Sequence, residues 1–265
     1  LEPLSPTIMN VQQPPNPGQG LCHAAFIIVD IQNDFVSGSL KVGTDSEDII
    51  QPINELRNRI PFGCVVHTQD SHPSDHCSFA ENNAGAVAFE TRPIPTPDGT
   101  GTMMDQIMWP THCIEGTEGW KFHPKLIVKD TDYIQKKGLR TDVDSYSGFF
   151  DNFNNTSTGL EDVLRRRGIT DVYVCGLAGD FCAGFTACDA SKLGFKTYFV
   201  QDLTRVVAKE SEADMKVKLK TNNVVVVSAN QMENNLCARS TIPTPTITPT
   251  PPPTTNPTTS TDANT

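Results

Sequence analysis

Asp70-Ser71-His72 sets a carboxylate and an imidazole two residues apart, and Trp109-Pro110-Thr111-His112-Cys113 supplies a second imidazole. In an extended segment residues i and i+2 project to one side, so Asp70 and His72 can address a single ion. With His112 as a third protein ligand the donors are one oxygen and two nitrogens, and coordination positions remain for water and substrate. Such a set suits zinc and also accommodates manganese, iron or magnesium. His76, four residues beyond His72, is either a further ligand or a group that orients one. His67 and His123 read as structural.

Cys182 closes the run Cys175-Gly176-Leu177-Ala178-Gly179-Asp180-Phe181-Cys182, in which an apolar strand stops and small residues turn into a helix. A helix N-terminus favours a thiolate, and its free N–H groups can receive a developing oxyanion. Cys175 and Cys188 fit the part of inert buried thiols better. Asp30 follows an apolar run and opens Asp30-Ile31-Gln32-Asn33-Asp34-Phe35. A carboxylate ending a buried strand is costly unless it is paired or used. Either it caps the next loop, a job Asp34 can also do, or it is the base that accepts the thiol proton. A lysine at 136 or 137 is the cation such a site needs. Metal and thiol together point to a hydrolase.

Alternating strands and helices must position these groups. Residues 24–30 and 63–69 are short apolar, β-branched runs of the kind that form buried parallel strands. Between them Ile49, Ile53, Leu56 and Ile60 recur at helical spacing. The pattern continues as strand 125–130, helix 157–167, strand 171–175, helix 181–193, strand 195–200, helix 211–220 and strand 223–228. This alternation predicts an α/β fold, a doubly wound, mostly parallel β-sheet flanked by helices on both faces. In such folds ligands bind beyond the carboxyl ends of the strands, where the strand order reverses. Asp30, Asp70 and the segment before Cys182 all fall at such ends. Residues 80–124, rich in Pro, Gly, Asn and Thr and without periodicity, read as a long loop over that face.

A net charge of −10 on 265 residues, with a pI near 5.0, offers no basic surface for nucleic acid. No apolar run reaches the roughly 18 residues of a membrane span. The start at Leu1, without initiator methionine or signal-type apolar run, suggests a processed or truncated N-terminus. Residues 1–20 read as a flexible Pro-rich arm and 239–265 as a disordered Thr/Pro-rich tail, with 11 threonines and 7 prolines from Thr241 onward. Residues 21–238 are left as one domain. Asn154-Asn155-Thr156-Ser157 holds two overlapping glycosylation sequons, which with the tail favours an extracellular, secreted protein over a cytoplasmic one. Eight cysteines fit neither a zinc ribbon nor a disulfide scaffold, and Cys22 and Cys237 are the candidates for a bridge.

Val29-Asp30-Ile31-Gln32-Asn33-Asp34-Phe35, the stretch from Asp70 to Phe79, Trp109 to Cys113, Lys137-Gly138, Tyr146-Ser147-Gly148-Phe149 and Gly176 to Cys182 follow one another in that order. Together they resemble the cysteine hydrolases of the isochorismatase-like superfamily and, within it, the nicotinamidases, over about residues 24 to 230. The resemblance implies a catalytic triad of Asp30, Lys137 and Cys182, the Lys-Gly match selecting the second lysine. It implies one divalent metal ion, usually zinc, on Asp70, His72 and His112, a set that members acting on isochorismate generally lack. It implies a cis peptide before Ala178, an oxyanion hole from the Ala178 and Cys182 N–H groups, and an aromatic pocket of Phe35, Trp109 and Tyr146. Nicotinamide would be hydrolysed to nicotinate and ammonia through a thioester on Cys182. Many relatives carry an aromatic residue where this chain has Ser71, which predicts a more open pocket wall there. A related amidase or ureidase on another aromatic amide, or a secreted non-catalytic binding module on this fold, are the other readings; intact Asp30, Lys137 and Cys182 speak against the last. Assembly into a homo-oligomer is left open.

Overall fold

In the computed structural model, residues 22–153 and 156–240 are described. The N-terminal arm, Asn154 and Asn155 of the sequons, the tail from Thr241 and the side chains of Cys22 and Cys237 lie outside the described residues. The chain runs β1 (Cys22–Val29), α1 (Asn33–Val36), α2 (Ile50–Arg59), β2 (Phe62–Asp70), β3 (Thr91–Pro95), β4 (Met103–Ile107), β5 (Tyr133–Lys137), α3 (Leu160–Arg166), β6 (Asp171–Leu177), α4 (Cys182–Lys192), β7 (Lys196–Arg205), α5 (Lys209–Thr221), β8 (Val225–Val227) and α6 (Ala229–Ser240).

β1 is apolar on both faces because it lies in the middle of a sheet. Phe26 and Ile28 pack to one side, and Ala25, Ile27 and Val29 to the other. Six strands lie in the order β5-β2-β1-β6-β7-β8, every neighbouring pair parallel. One face is covered by Phe35 of α1, Ile53 and Leu56 of α2 and Met232 and Leu236 of α6. Leu160 and Leu164 of α3, Ala183 and Ala187 of α4 and Met215 and Leu219 of α5 cover the other. This is the doubly wound parallel sheet expected from the alternation. The chain fills one half, β1-β2-β5, before crossing to β6-β7-β8, so the strand order reverses at the β1/β6 boundary and opens a crevice at their carboxyl ends.

Three expectations are corrected. Residues 125–130 form no strand: Asn54 of α2 donates from Nδ2 to Lys125 O at 2.7 Å and accepts Ile127 N–H at 2.9 Å, so a side chain takes the bonds a ladder would use. The edge strand is instead the more polar β5, which pairs with β2 from Val66–Tyr133 to Asp70–Lys137. Residues 80–124 are not structureless, since β3 and β4 pair antiparallel as a hairpin of their own. α6 had not been foreseen, and it runs past the expected domain end at 238.

Candidate active site

Asp30 follows β1, Asp70 closes β2, Lys137 closes β5 at the register position beside Asp70, and Cys182 opens α4 one turn after β6. Asp30 has φ 48°, a left-handed turn that aspartate tolerates and that bends the chain away as soon as the carboxylate has reached the crevice. Lys137 is buried, and its Nζ lies 2.9 Å from Asp30 Oδ2, 2.9 Å from Asp70 Oδ1 and 3.4 Å from Cys182 Sγ. It also donates to Ser145 O at 3.0 Å. The Asp30 contact is an ion pair without hydrogen-bond alignment, and Thr68 Oγ1 donates to the other Asp30 oxygen at 2.6 Å.

Burial works against the Lys137 ammonium, but Asp30, Asp70 and Cys182 together hold its pKa well above the usual lysine value. Burial pushes the Asp30 carboxyl up against the pull of Lys137, and Asp70 adds to the rise. Burial likewise drives the Cys182 thiol well above its ordinary range; Lys137 pulls it down and Asp30, Asp70 and Asp144 push it further up. Burial and the three carboxylates favour the neutral thiol, and Lys137 and the helix N-terminus oppose them. The resting thiol needs a base. Ligand atoms of Asp30, Asp70 and Cys182 all lie within 4.8 Å of one another, so the Asp30 carboxylate is near enough to serve, while the direct contact with sulfur is that of Lys137.

Asp70 Oδ2 is 3.2 Å from His72 Nε2 and 3.6 Å from His112 Nε2, and all three residues are buried. His72 turns Nδ1 to Gly138 O at 2.9 Å and His112 turns Nδ1 to Pro110 O at 2.8 Å. A carbonyl only accepts, so Nδ1 carries the proton and the Nε2 lone pair of each ring is free for an ion. His72 Nε2 is buried without an aligned hydrogen-bond partner, which suits a nitrogen that binds a cation. Burial alone would raise the Asp70 carboxyl, but His72, Lys137 and His112 hold it well below the usual carboxylate range. One carboxylate oxygen and two imidazole nitrogens converging in this way fit a divalent ion. The His76 ring lies tilted against that of His72, with 4.1 Å between centroids. Its Nδ1 lies 2.8 Å from Ser78 Oγ, its Nε2 is buried without an aligned partner, and it forms a group of possible ligands with His72 and Asp144, so its place suits a further ligand as well as a group that orients one. Burial and His72 push the His76 pKa down to about 4.

A small pocket opens beside Cys182. Phe35, Trp109 and Tyr146, the expected aromatic residues, all line it. So does Phe181, which the sequence reading had passed over although it sits next to the nucleophile; its ring meets Trp109 edge-on at 4.9 Å. Asp144 was also missed. It lines the pocket and shares a cluster with His72 and His76, and a carboxylate in a polar loop carries no signal of its own. Ser71 does not open the wall: it is buried, and Trp120 Nε1 donates to its Oγ at 2.7 Å, so an aromatic ring from the 109–121 segment covers the place. A cis peptide joins Leu177 and Ala178, as the resemblance implied. The Cys182 N–H, first in α4, has no intrahelical acceptor and faces the pocket end of the helix.

The nicotinamidase of Acinetobacter baylyi is 40% identical to this chain over 185 residues, which is 70% of this chain and 82% of that protein. A solved Acinetobacter baumanii nicotinamidase pyrazinamidase superposes with a TM-score of 0.73 at 38% identity, covering 81% of this chain and all of that one. The pyrazinamidase of Pyrococcus horikoshii, solved in complex with zinc, superposes with a TM-score of 0.61 at 29% identity over 78% of this chain and 99% of its own. The isochorismatase domain matches residues 24–231, nearly the whole of the sheet and its helices, and the chain belongs to the isochorismatase domain family.

Proposed function

We propose that the protein is a nicotinamidase, hydrolysing nicotinamide to nicotinate and ammonia. The observation that carries this is the position of Lys137, whose single Nζ touches Asp30, the metal-type ligand Asp70 and the Cys182 sulfur at one pocket. A thiol nucleophile, its base and an ion-binding set are thereby joined around one substrate. Nicotinamidases at about 40% identity over most of the chain support the substrate.

Asp70, His72 and His112 would hold the ion, zinc by the example of the archaeal relative, and when bound it supplies a Lewis acid that can fix the pyridine nitrogen or a water. Phe35, Trp109, Tyr146 and Phe181 hold the ring and exclude water, which brings the carboxamide carbon to Cys182. Asp30 accepts the thiol proton, and the sulfur forms a bond to the amide carbon. The Ala178 and Cys182 N–H groups hold the negative oxygen. The C–N bond breaks as Asp30 returns the proton to nitrogen, ammonia leaves, and a thioester remains on Cys182. Asp30 then takes a proton from water, whose oxygen displaces the thiol to give nicotinate. Lys137, kept cationic, balances the charge on Asp30 throughout. On this reading the hydrolase domain extends through α6 to Ser240, with the flanking segments as appendages.

Ammonia release from nicotinamide tests the proposal. Cys182→Ala should lower it by at least about a thousandfold, and an alanine variant with full activity contradicts the assignment. A panel of pyridine and non-pyridine amides separates nicotinamidase from a related amidase by the ratio of kcat/KM values.

A further inference from the structure

We propose that Gln32 and Asp34 are positioning residues of the metal-ligand set, fixing the backbones that carry Asp70 and His112 without touching the ion. The inference rests on the reading of Asp70, His72 and His112 as ligands.

β1 ends at Val29, while β2 runs on to Asp70. On the β5 side the ladder continues, with Asp70 in register with Lys137 and Ser71 N donating to Lys137 O at 2.9 Å. On the β1 side no strand remains to pair with Asp70. The Gln32 side chain takes its place: Oε1 accepts Asp70 N–H at 2.8 Å and Nε2 donates to Asp70 O at 2.8 Å, as a neighbouring peptide unit would. Nε2 also donates to Trp120 O at 2.8 Å. Gln32 is fully buried, and its amide is saturated by these three bonds. A glutamate there would keep the acceptor but present oxygen to two carbonyls.

Asp34 serves the other ligand. Its Oδ2 accepts the N–H of Cys113, the residue after His112, at 2.7 Å, and its Oδ1 accepts Ser39 N–H at 3.2 Å. Cys113 has φ 47°, a left-handed conformation that a residue with a side chain holds only when its surroundings impose it. The carboxylate occupies a slot cut by glycines, since a Cβ on either Gly38 or Gly119 would collide with it. Asn33 N and Asp34 N donate to Lys121 O and Gly119 O and tie the same segment down. One short turn after Asp30 thus sets both a ligand on β2 and a ligand on the 109–121 segment. Orienting partners of metal ligands typically change metal affinity by about 10–100-fold.

The test uses the full chain and its Gln32→Glu, Asp34→Asn and Asp34→Ala variants. Zinc affinity is read by competition with a chromophoric chelator, geometry by the visible spectrum of the cobalt(II) form, and folding by thermal unfolding of the metal-free proteins. Gln32→Glu and Asp34→Ala should lose about 10–100-fold in affinity and shift the cobalt spectrum. Asp34→Asn, which keeps one acceptor for Cys113 N–H, should lose less than Asp34→Ala. Unchanged affinity and spectrum in variants that unfold cooperatively overturn the inference. Should Gln32→Glu fail to fold, the two Asp34 variants decide. A wild-type protein that binds no zinc or cobalt overturns the ligand reading itself.

Discussion

Lys137 sits beside Lys136 in sequence, yet the two have opposite environments because successive residues of a strand point to opposite faces. Lys136 lies half exposed over the Trp120 ring and pairs with Glu115, whereas Lys137 is buried between Asp30 and Asp70. Lys137→Met leaves two buried carboxylates without their cation and should cost about 3–5 kcal/mol in urea unfolding, with loss of ammonia release. Lys136→Met should stay within about 0.5 kcal/mol of wild type. Equal effects of the two would contradict the assignment of the inner lysine. Gly138 shows the same economy of space: with φ 68° and a Cβ that would enter the His72 ring, it admits no side chain. Gly138→Ala is expected to lower zinc content and ammonia release together, measurable by metal analysis of the purified variant.

At the level of elements, the turn between β6 and α4 is held from outside. Asp180, two residues before Cys182, accepts the Val207 N–H at 2.9 Å, the Ala208 N–H at 3.1 Å and the Ser211 hydroxyl at 2.5 Å, and so ties the start of α5 to that turn. Val207 lines the pocket, which means that one carboxylate links the nucleophile turn, a wall of the site and the start of a helix. Asp180→Ala leaves these donors without their acceptor and should cost about 1–3 kcal/mol and raise KM for nicotinamide more than it lowers kcat. A variant with lowered stability and an unaltered KM would leave Asp180 a structural tie and nothing more. Elements with a strong apolar period were legible in sequence: β1, β2, β6 and α4 stand where the runs of residues indicated. β5 was not, because Tyr-Ile-Gln-Lys-Lys is polar and earns its place through register with β2, while the more apolar 125–130 segment is held off the sheet by Asn54.

Across the whole molecule, groups outside the pocket lining should add to acid unfolding. His67 is buried in β2 with Nε2 3.1 Å from Asp132, which also pairs with Arg57. Burial lowers the His67 pKa despite Asp132, so the unfolded chain, with a histidine value near 6.5, takes up the proton first. Stability is then lost as pH falls below about 6.5 toward the folded value. The Asp132 carboxyl is lowered in the fold, where His67, Lys129 N–H and Arg57 prevail over burial, so its contribution is present above the unfolded value and lost as pH falls through the folded one. Both groups act in the same direction. The urea midpoint should drop between about pH 7 and pH 5, and His67→Gln should flatten that slope; parallel pH curves for the two proteins would refute it.

The sequence by itself determined the sheet-and-helix alternation, the small-residue turn before Cys182 and the placing of Asp70 and His72 on one side of a strand end, because each rests on local periodicity or close spacing. Only the tertiary structure brought His112 to Asp70 and His72, laid Trp120 over Ser71, and added Asp144 and Phe181 to the pocket. These depend on which strands pair and on how much water their pairing excludes, and both are set by contacts between residues far apart in the chain.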